Sequence, residues 1–137
     1  MKLTQEEIRY MNALDRIAKV IATDCIIKEN EIIFVVKENQ LGMAIGKNGE
    51  KIKEIAKKLG KRVMLFEQAG NEKEFLEKAF RKFKIMDVSA SDENGKKHIQ
   101  MEVDSESKRK ILSDTAMLRN LKEVLKKEYN VENLRLV

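Results

Sequence analysis

Cysteine and histidine are almost absent from this chain of 137 residues, which holds one of each, Cys25 and His98. A lone cysteine cannot close an internal disulfide, and this predicts a reducing, cytoplasmic setting. A zinc site or a histidine-based triad would have almost nothing to draw on, so no metal, cofactor or catalytic residue is expected. Proline is missing altogether, and no glycine- or serine-rich stretch marks a linker. Aromatic residues make up only 5% of the chain, too few for binding surfaces built on aromatic stacking. No apolar run approaches the ~20 residues of a membrane span. The segment Met1–Glu7 lacks the apolar core of a signal peptide. The expectation is therefore a soluble protein with no membrane association.

Charge is what the chain has in quantity. Charged residues are 37% of the total, with a net charge of +5. Its placement is uneven. Lys47, Lys51, Lys53, Lys57, Lys58, Lys61 and Arg62 lie in one stretch against only Glu50 and Glu54, so this stretch carries the whole net charge. Such a run reads as a solvated helix face or as the electrostatic footprint of a phosphate-binding surface.

Periodicity predicts the elements. Thr4 and Glu7 match a capping box, and Ile8, Met11, Leu14, Ile17, Ala18 and Ile21 recur at helical spacing, giving a helix to about Thr23. Strands follow over Cys25–Lys28 and Ile32–Lys37, joined by a turn at Glu29–Glu31. Leu41–Ile45 forms a short helical turn. After Gly46-Lys47-Asn48-Gly49 comes an amphipathic helix with Ile52, Ile55, Ala56 and Leu59 inward and Gly60 at its C-terminal cap. Arg62–Phe66 is a strand.

The second half repeats this order. A helix is expected over Asn71–Phe83, then strands over Lys84–Ala90 and His98–Val103 around a turn at Asp92–Gly95. A short helix through Leu112, a longer one over Thr115–Tyr129 and a strand over Val131–Val137 complete it. The chain thus reads as an internal duplication with a period of about 66 residues.

One motif carries chemistry. Two glycines three apart, between two helices, allow a tight turn with no Cβ facing a ligand. The unpaired N–H groups and positive dipole end of the following helix point at the loop, where a phosphate can lie. A bare GxxG is also an ordinary interhelical turn. A P-loop fits poorly, because three residues rather than four separate Gly42 from Gly46 and Asn48 follows Lys47. Cys25 reads as a small core residue, and Glu6-Glu7 as first-turn acids favoured by the helix dipole.

The run Leu41-Gly42-Met43-Ala44-Ile45-Gly46-Lys47-Asn48-Gly49-Glu50-Lys51-Ile52-Lys53 resembles the signature of the first KH module in the NusA family. The order of elements resembles that of the short archaeal NusA-like termination/antitermination proteins. The resemblance implies an α/β (α+β) fold of two tandem type II KH-like units, each αββααβ, packed as one compact body. It assigns 1–69 to a KH-like domain with an intact GxxG loop and 70–137 to one in which the loop is degenerate. It implies that Gly46 and Gly49 admit the RNA backbone, that Lys47 and Asn48 meet phosphate or sugar, and that Met43, Ile45 and Ile52 line a groove for about four unstacked bases. Lys51, Lys53 and Arg62 would supply positive potential. Single-stranded RNA, in the form of a nascent transcript, is the implied ligand, RNA polymerase an implied partner, and a monomer the implied state.

The second unit departs from the pattern. Its matching positions are Leu112-Ser113-Asp114-Thr115, with both glycines gone and a carboxylate where a phosphate would sit. Ser113 or Asp114 is expected to cap the last helix instead. The rival reading is a protein-interaction module that docks on polymerase or ribosome components, its GxxG loop a mere turn. An enzyme is the least supported class, since no acid/base pair or nucleophile is apparent.

Overall fold

The computed structural model describes residues 3–137. Met1 and Lys2, part of the Met1–Glu7 segment read above as lacking a signal-peptide core, lie outside the described residues. The chain divides into two units, Met1–Gln68 and Ala69–Val137.

The first unit runs α1 (Gln5–Ala18), β1 (Ala22–Ile27), β2 (Glu31–Val36), α2 (Leu41–Ile45), α3 (Glu50–Leu59) and β3 (Arg62–Glu67). β2 is the central strand, antiparallel to β1 and parallel to β3. Its sequence, EIIFVV, is a continuous apolar run after its first residue, and all six residues are buried. That is the pattern of a strand covered on both faces. Ile32, Phe34 and Val36 join Leu14, Val20, Cys25, Ala44 and Ile55 in one core. Cys25 is a fully buried core residue, as its small apolar side chain suggests.

The capping box forms as read. Thr4 Oγ1 accepts the Glu7 N–H at 3.1 Å, and Glu7 Oε1 accepts the Thr4 N–H at 3.0 Å. The far end of α1 does not match the expectation. The helix stops at Ala18 because Lys19 turns left-handed (φ 61°, ψ 36°) and donates its N–H to the Asp15 carbonyl. The chain then enters β1 three residues before the expected strand start. Ile21, expected on the buried face, is 52% exposed, and Ile8 is 44% exposed. Periodicity ran on into the β-branched stretch because no glycine or proline marks the stop. The hairpin turn is also tighter than expected: Lys28 N–H meets Glu31 O at 2.8 Å, leaving only Glu29 and Asn30 between.

The second unit repeats the order with α4 (Glu72–Ala79), β4 (Ile85–Glu93), β5 (Lys96–Val103), α5 (Ser105–Ser113), α6 (Thr115–Tyr129) and β6 (Val131–Leu136). Again the second strand is central, antiparallel to β4 and parallel to β6. Asn94 and Gly95 both take positive φ (55° and 79°) between paired Glu93 and Lys96, so the Asn-Gly signal makes a two-residue hairpin with strands longer than expected. α4 is shorter than expected. It ends at Phe80, and Phe83 folds back to meet the Phe80 ring edge-on at 6.3 Å. Leu121, Val124 and Leu125 of α6 are buried, as are Ile99 and Met101 of β5. No helix among the described residues is long and apolar enough to cross a membrane.

Tyr129, at the end of α6, ties this unit to its own beginning. Its hydroxyl accepts the Ala69 N–H and donates to the Ala69 carbonyl, both at 3.1 Å. Its ring lies 5.1 Å from that of Phe75. Glu72 opens α4 and receives Lys97 Nζ of β5 at 3.0 Å. A hydrogen bond from its own backbone N–H holds the Glu72 carboxyl below its ordinary value of 4.5; burial opposes this, and Lys97 adds to the lowering. A carboxylate with a depressed folded-state pKa stabilises the fold above its unfolded pKa and loses that contribution as pH falls through the folded value. The expected outcome is that Lys97→Met lowers stability at neutral pH and shrinks the loss on acidification below about pH 4.5, measured by urea unfolding across that range.

Candidate functional site

The joint between α2 and α3 is built by two glycines. Gly46 takes φ 76°, ψ 175°, a region essentially confined to glycine. A Cβ added there would lie 2.9 Å from the backbone nitrogen of Lys51 and 2.7 Å from its Cγ. Thus Gly46 is needed by the protein's own turn, before any ligand is considered. Lys47–Gly49 then form one 3-10 turn, with Asn48 left-handed (φ 56°, ψ 27°) and Gly49 left-handed (φ 74°, ψ 17°). The Gly49 N–H closes the turn on the Gly46 carbonyl at 3.2 Å. α3 starts immediately after, and no side chain caps it. The N–H of its first residue, Glu50, turns back to the Lys47 carbonyl, and the positive dipole end of the helix faces the loop with no side-chain carboxylate or hydroxyl on it.

Side chains gather around this opening. Lys47 and Asn48 are exposed at the tip. Lys51 lays its stem against Gly46, and its Nζ lies 4.0 Å from Glu54. Ile52 Cγ2 and Lys53 Cε are the atoms that a Cβ at Gly49 would approach, at 3.8 and 4.0 Å. On the α2 side, Ala44 is fully buried and anchors the short helix, which leaves Met43 52% and Ile45 37% exposed. An exposed methionine and isoleucine beside a cationic loop are an apolar surface with a charged border. The structure thus brings together Gly46, Lys47, Asn48, Gly49, Lys51, Ile52 and Lys53, with Met43 and Ile45 on the helix leading in.

Arg62 lies elsewhere. It begins β3, beyond the far end of α3, about 15 Å from the loop at the rise of a ten-residue helix. Its guanidinium is 3.9 Å from the buried Glu31. Neighbouring Lys61 donates to the Lys28 carbonyl at 2.8 Å. The basic stretch of the sequence is therefore divided, with its last two cations engaged at the β1–β2 hairpin.

In the second unit the corresponding joint is a single residue. α5 runs through Ser113 and α6 begins at Thr115. The Asp114 carboxylate accepts the Met117 N–H at 3.1 Å, and Ser113 Oγ donates to the Lys110 carbonyl at 2.7 Å. Of the two candidate caps, Asp114 is the one used. It supplies internally the negative charge that the first unit leaves to be supplied.

A helix, not a strand, leads into Gly46, which removes the structural context a P-loop needs. Among the described residues no group of three or more His, Cys, Asp or Glu is placed to hold a metal ion. His98 Nε2 sits 3.7 Å from Glu93 on a strand pair of the second unit, with no nucleophile assigned to it.

Residues 7–69 match the KH domain family model. Over 88 residues, 64% of this chain, the sequence is 35% identical to the probable transcription termination protein NusA of Methanocaldococcus jannaschii, and the match spans about half (48%) of that relative's length. The relative of the same name from Halobacterium salinarum is 23% identical over 137 residues, 99% of this chain and 98% of the relative. A crystal structure of APE1850 superposes with a TM-score of 0.88 at 30% identity, covering 98% of this chain and all of that one.

The geometry ranks the glycines. Gly42 is helical with nothing within 4 Å of an added Cβ, Gly49 needs only its positive φ, and Gly46 needs both its φ and the space. Gly42→Ala is expected to be neutral or to stabilise by about 0.5–1 kcal/mol. Gly49→Ala should cost roughly 1–2 kcal/mol, and Gly46→Ala more than that. Denaturant midpoints of the three variants check the order.

Proposed function

Since this chain is a NusA-like KH protein, we propose that it binds single-stranded RNA through the Gly46–Gly49 loop and acts in transcription elongation or termination. The observation that carries the reading is an uncapped helix start opening beside a two-glycine turn, with Lys47 and Asn48 at its tip. A phosphodiester backbone supplies the negative charge that a helix start with no side-chain cap favours. In this reading Gly46 and Gly49 let the strand approach, and Lys47 and Asn48 meet phosphate or sugar. Met43, Ile45 and Ile52 contact unstacked bases, in keeping with a module that reads bases on aliphatic surface. Lys51 and Lys53 add local potential. Arg62 contributes only to the long-range field, given its distance and its pairing with Glu31.

Residues 1–69 act as the RNA-binding KH domain, and 70–137 as a KH-like domain whose loop does not clamp phosphate. The protein works without chemistry of its own, as a monomer in the cytoplasm, with the nascent transcript as ligand and RNA polymerase as partner. The names of the relatives support the transcriptional part of this reading.

Equilibrium binding of short single-stranded RNA at two salt concentrations tests it. The double variant Lys47→Asp/Asn48→Asp is expected to lose tenfold or more in affinity, about 1.4 kcal/mol, and to show a shallower salt dependence. Asp114→Gly is expected to change affinity by less than about twofold, because the second loop stays outside the contact. If wild type and the double variant bind equally, or neither binds while a protein partner is captured stably, the loop is only a turn.

A further inference from the structure

A second concentration of positive charge lies on the first unit, away from the glycine loop. α1 and α3 leave between them a cleft of about 300 Å³ lined by Arg9, Tyr10, Ala13, Arg16, Lys58 and Leu59. Its floor is apolar: Tyr10 and Ala13 are buried and Leu59 is half-buried. Every charged residue in its lining is a cation. Arg9, Arg16 and Lys58 are exposed, and among the described residues none of them has a carboxylate partner. Arg9 instead lies 5.3 Å from the centre of the Tyr10 ring, and Lys61 lies 5.9 Å from it. The negative face of the ring attracts Arg9 beside the cleft, while Lys61 is bonded to the Lys28 carbonyl.

Unpaired like charges repel, and their convergence over an apolar floor is the arrangement an anion stabilises. The helical period connects this cleft to the loop. Arg9 and Arg16 are seven residues apart and so share a face of α1. Lys58 is seven residues after Lys51 and shares its face of α3, about 10 Å further along the axis. A strand that leaves the loop past Lys51, whose ammonium also lies 4.0 Å from Glu54, thus meets Lys58 and the cations of the cleft further along the same face of α3. Two arginine forks at its end match phosphate geometry better than lysines would.

We propose that the α1–α3 cleft is a second phosphate-binding site, taking the backbone of the same RNA strand beyond the nucleotides held at the loop. This rests on the RNA-binding reading of the loop, and it lengthens the footprint of a single unit past the roughly four nucleotides of one KH module.

The test uses the full chain and oligouridylates of about four and about twelve nucleotides, with affinities read by fluorescence anisotropy over a salt series. Wild type is compared with Arg16→Ala/Lys58→Ala, two exposed helix positions at which alanine preserves the fold, as thermal melts verify. The longer oligomer should bind wild type more tightly, with a salt slope steeper by about 0.7 for each added phosphate contact. The double variant should weaken the longer oligomer about five- to tenfold and flatten its slope by about 1.4, while the shorter oligomer changes less than about twofold. Equal losses at both lengths mean a diffuse field and overturn the site. A longer oligomer held equally by both proteins also overturns it, and leaves the loop reading intact. If wild type binds neither length, both readings fall.

Discussion

Gly46 holds a backbone conformation that a side chain would forbid twice over, once by its dihedral angles and once by collision with the nitrogen of Lys51. The geometry of the first unit's exposed face depends on this. Because the turn is so sharp, α2 can be as short as five residues and still be pinned by one buried alanine, Ala44, while Met43 and Ile45 stay outside. Because Gly49 has no side chain, α3 begins with no side-chain cap, and the Glu50 N–H turns to the Lys47 carbonyl instead. The apolar patch, the cationic rim and the bare helix start are therefore consequences of one backbone constraint.

The charge of the chain follows the same architecture. The basic stretch that stands out in the sequence is wound onto a helix and then into a strand. Length along α3 separates Lys51 and Lys53 at the loop from Lys58, which lies beside α1. The strand that follows commits Lys61 and Arg62 to the hairpin. What looks like one patch along the chain becomes three local tasks.

Much of the fold was legible because the signals are local. The capping box at Thr4, the Asn-Gly hairpin and the α3 face all depend on residues within one or two turns of each other. The end of α1 was not legible, since Lys19 adopts a left-handed conformation that nothing in its own chemistry favours, and Val20 and Ala22 just beyond it are buried in the core. Likewise α4 stops early because Phe80 and Phe83 satisfy each other across a turn, a tertiary contact with no periodic signature. At the candidate site the loop and its near neighbours were legible from spacing. That Arg62 stands apart from the loop was not legible, because distance along a helix is invisible in a count of charges, and the grouping of Arg9 and Arg16 with Lys58 arises only when α1 packs on α3.

The two joints can also be compared as expenditures of stability within one architecture. In the second unit Asp114 closes the helix start on itself, an interaction typically worth about 1 kcal/mol relative to alanine. The first unit forgoes that contribution and accepts two glycines, whose freedom in the unfolded chain further favours unfolding. An exchange of this kind is common where a surface is kept open for use. The duplicated architecture thus treats one joint in two ways: the first copy leaves its helix start without a side-chain cap, while the second closes the same start with a carboxylate.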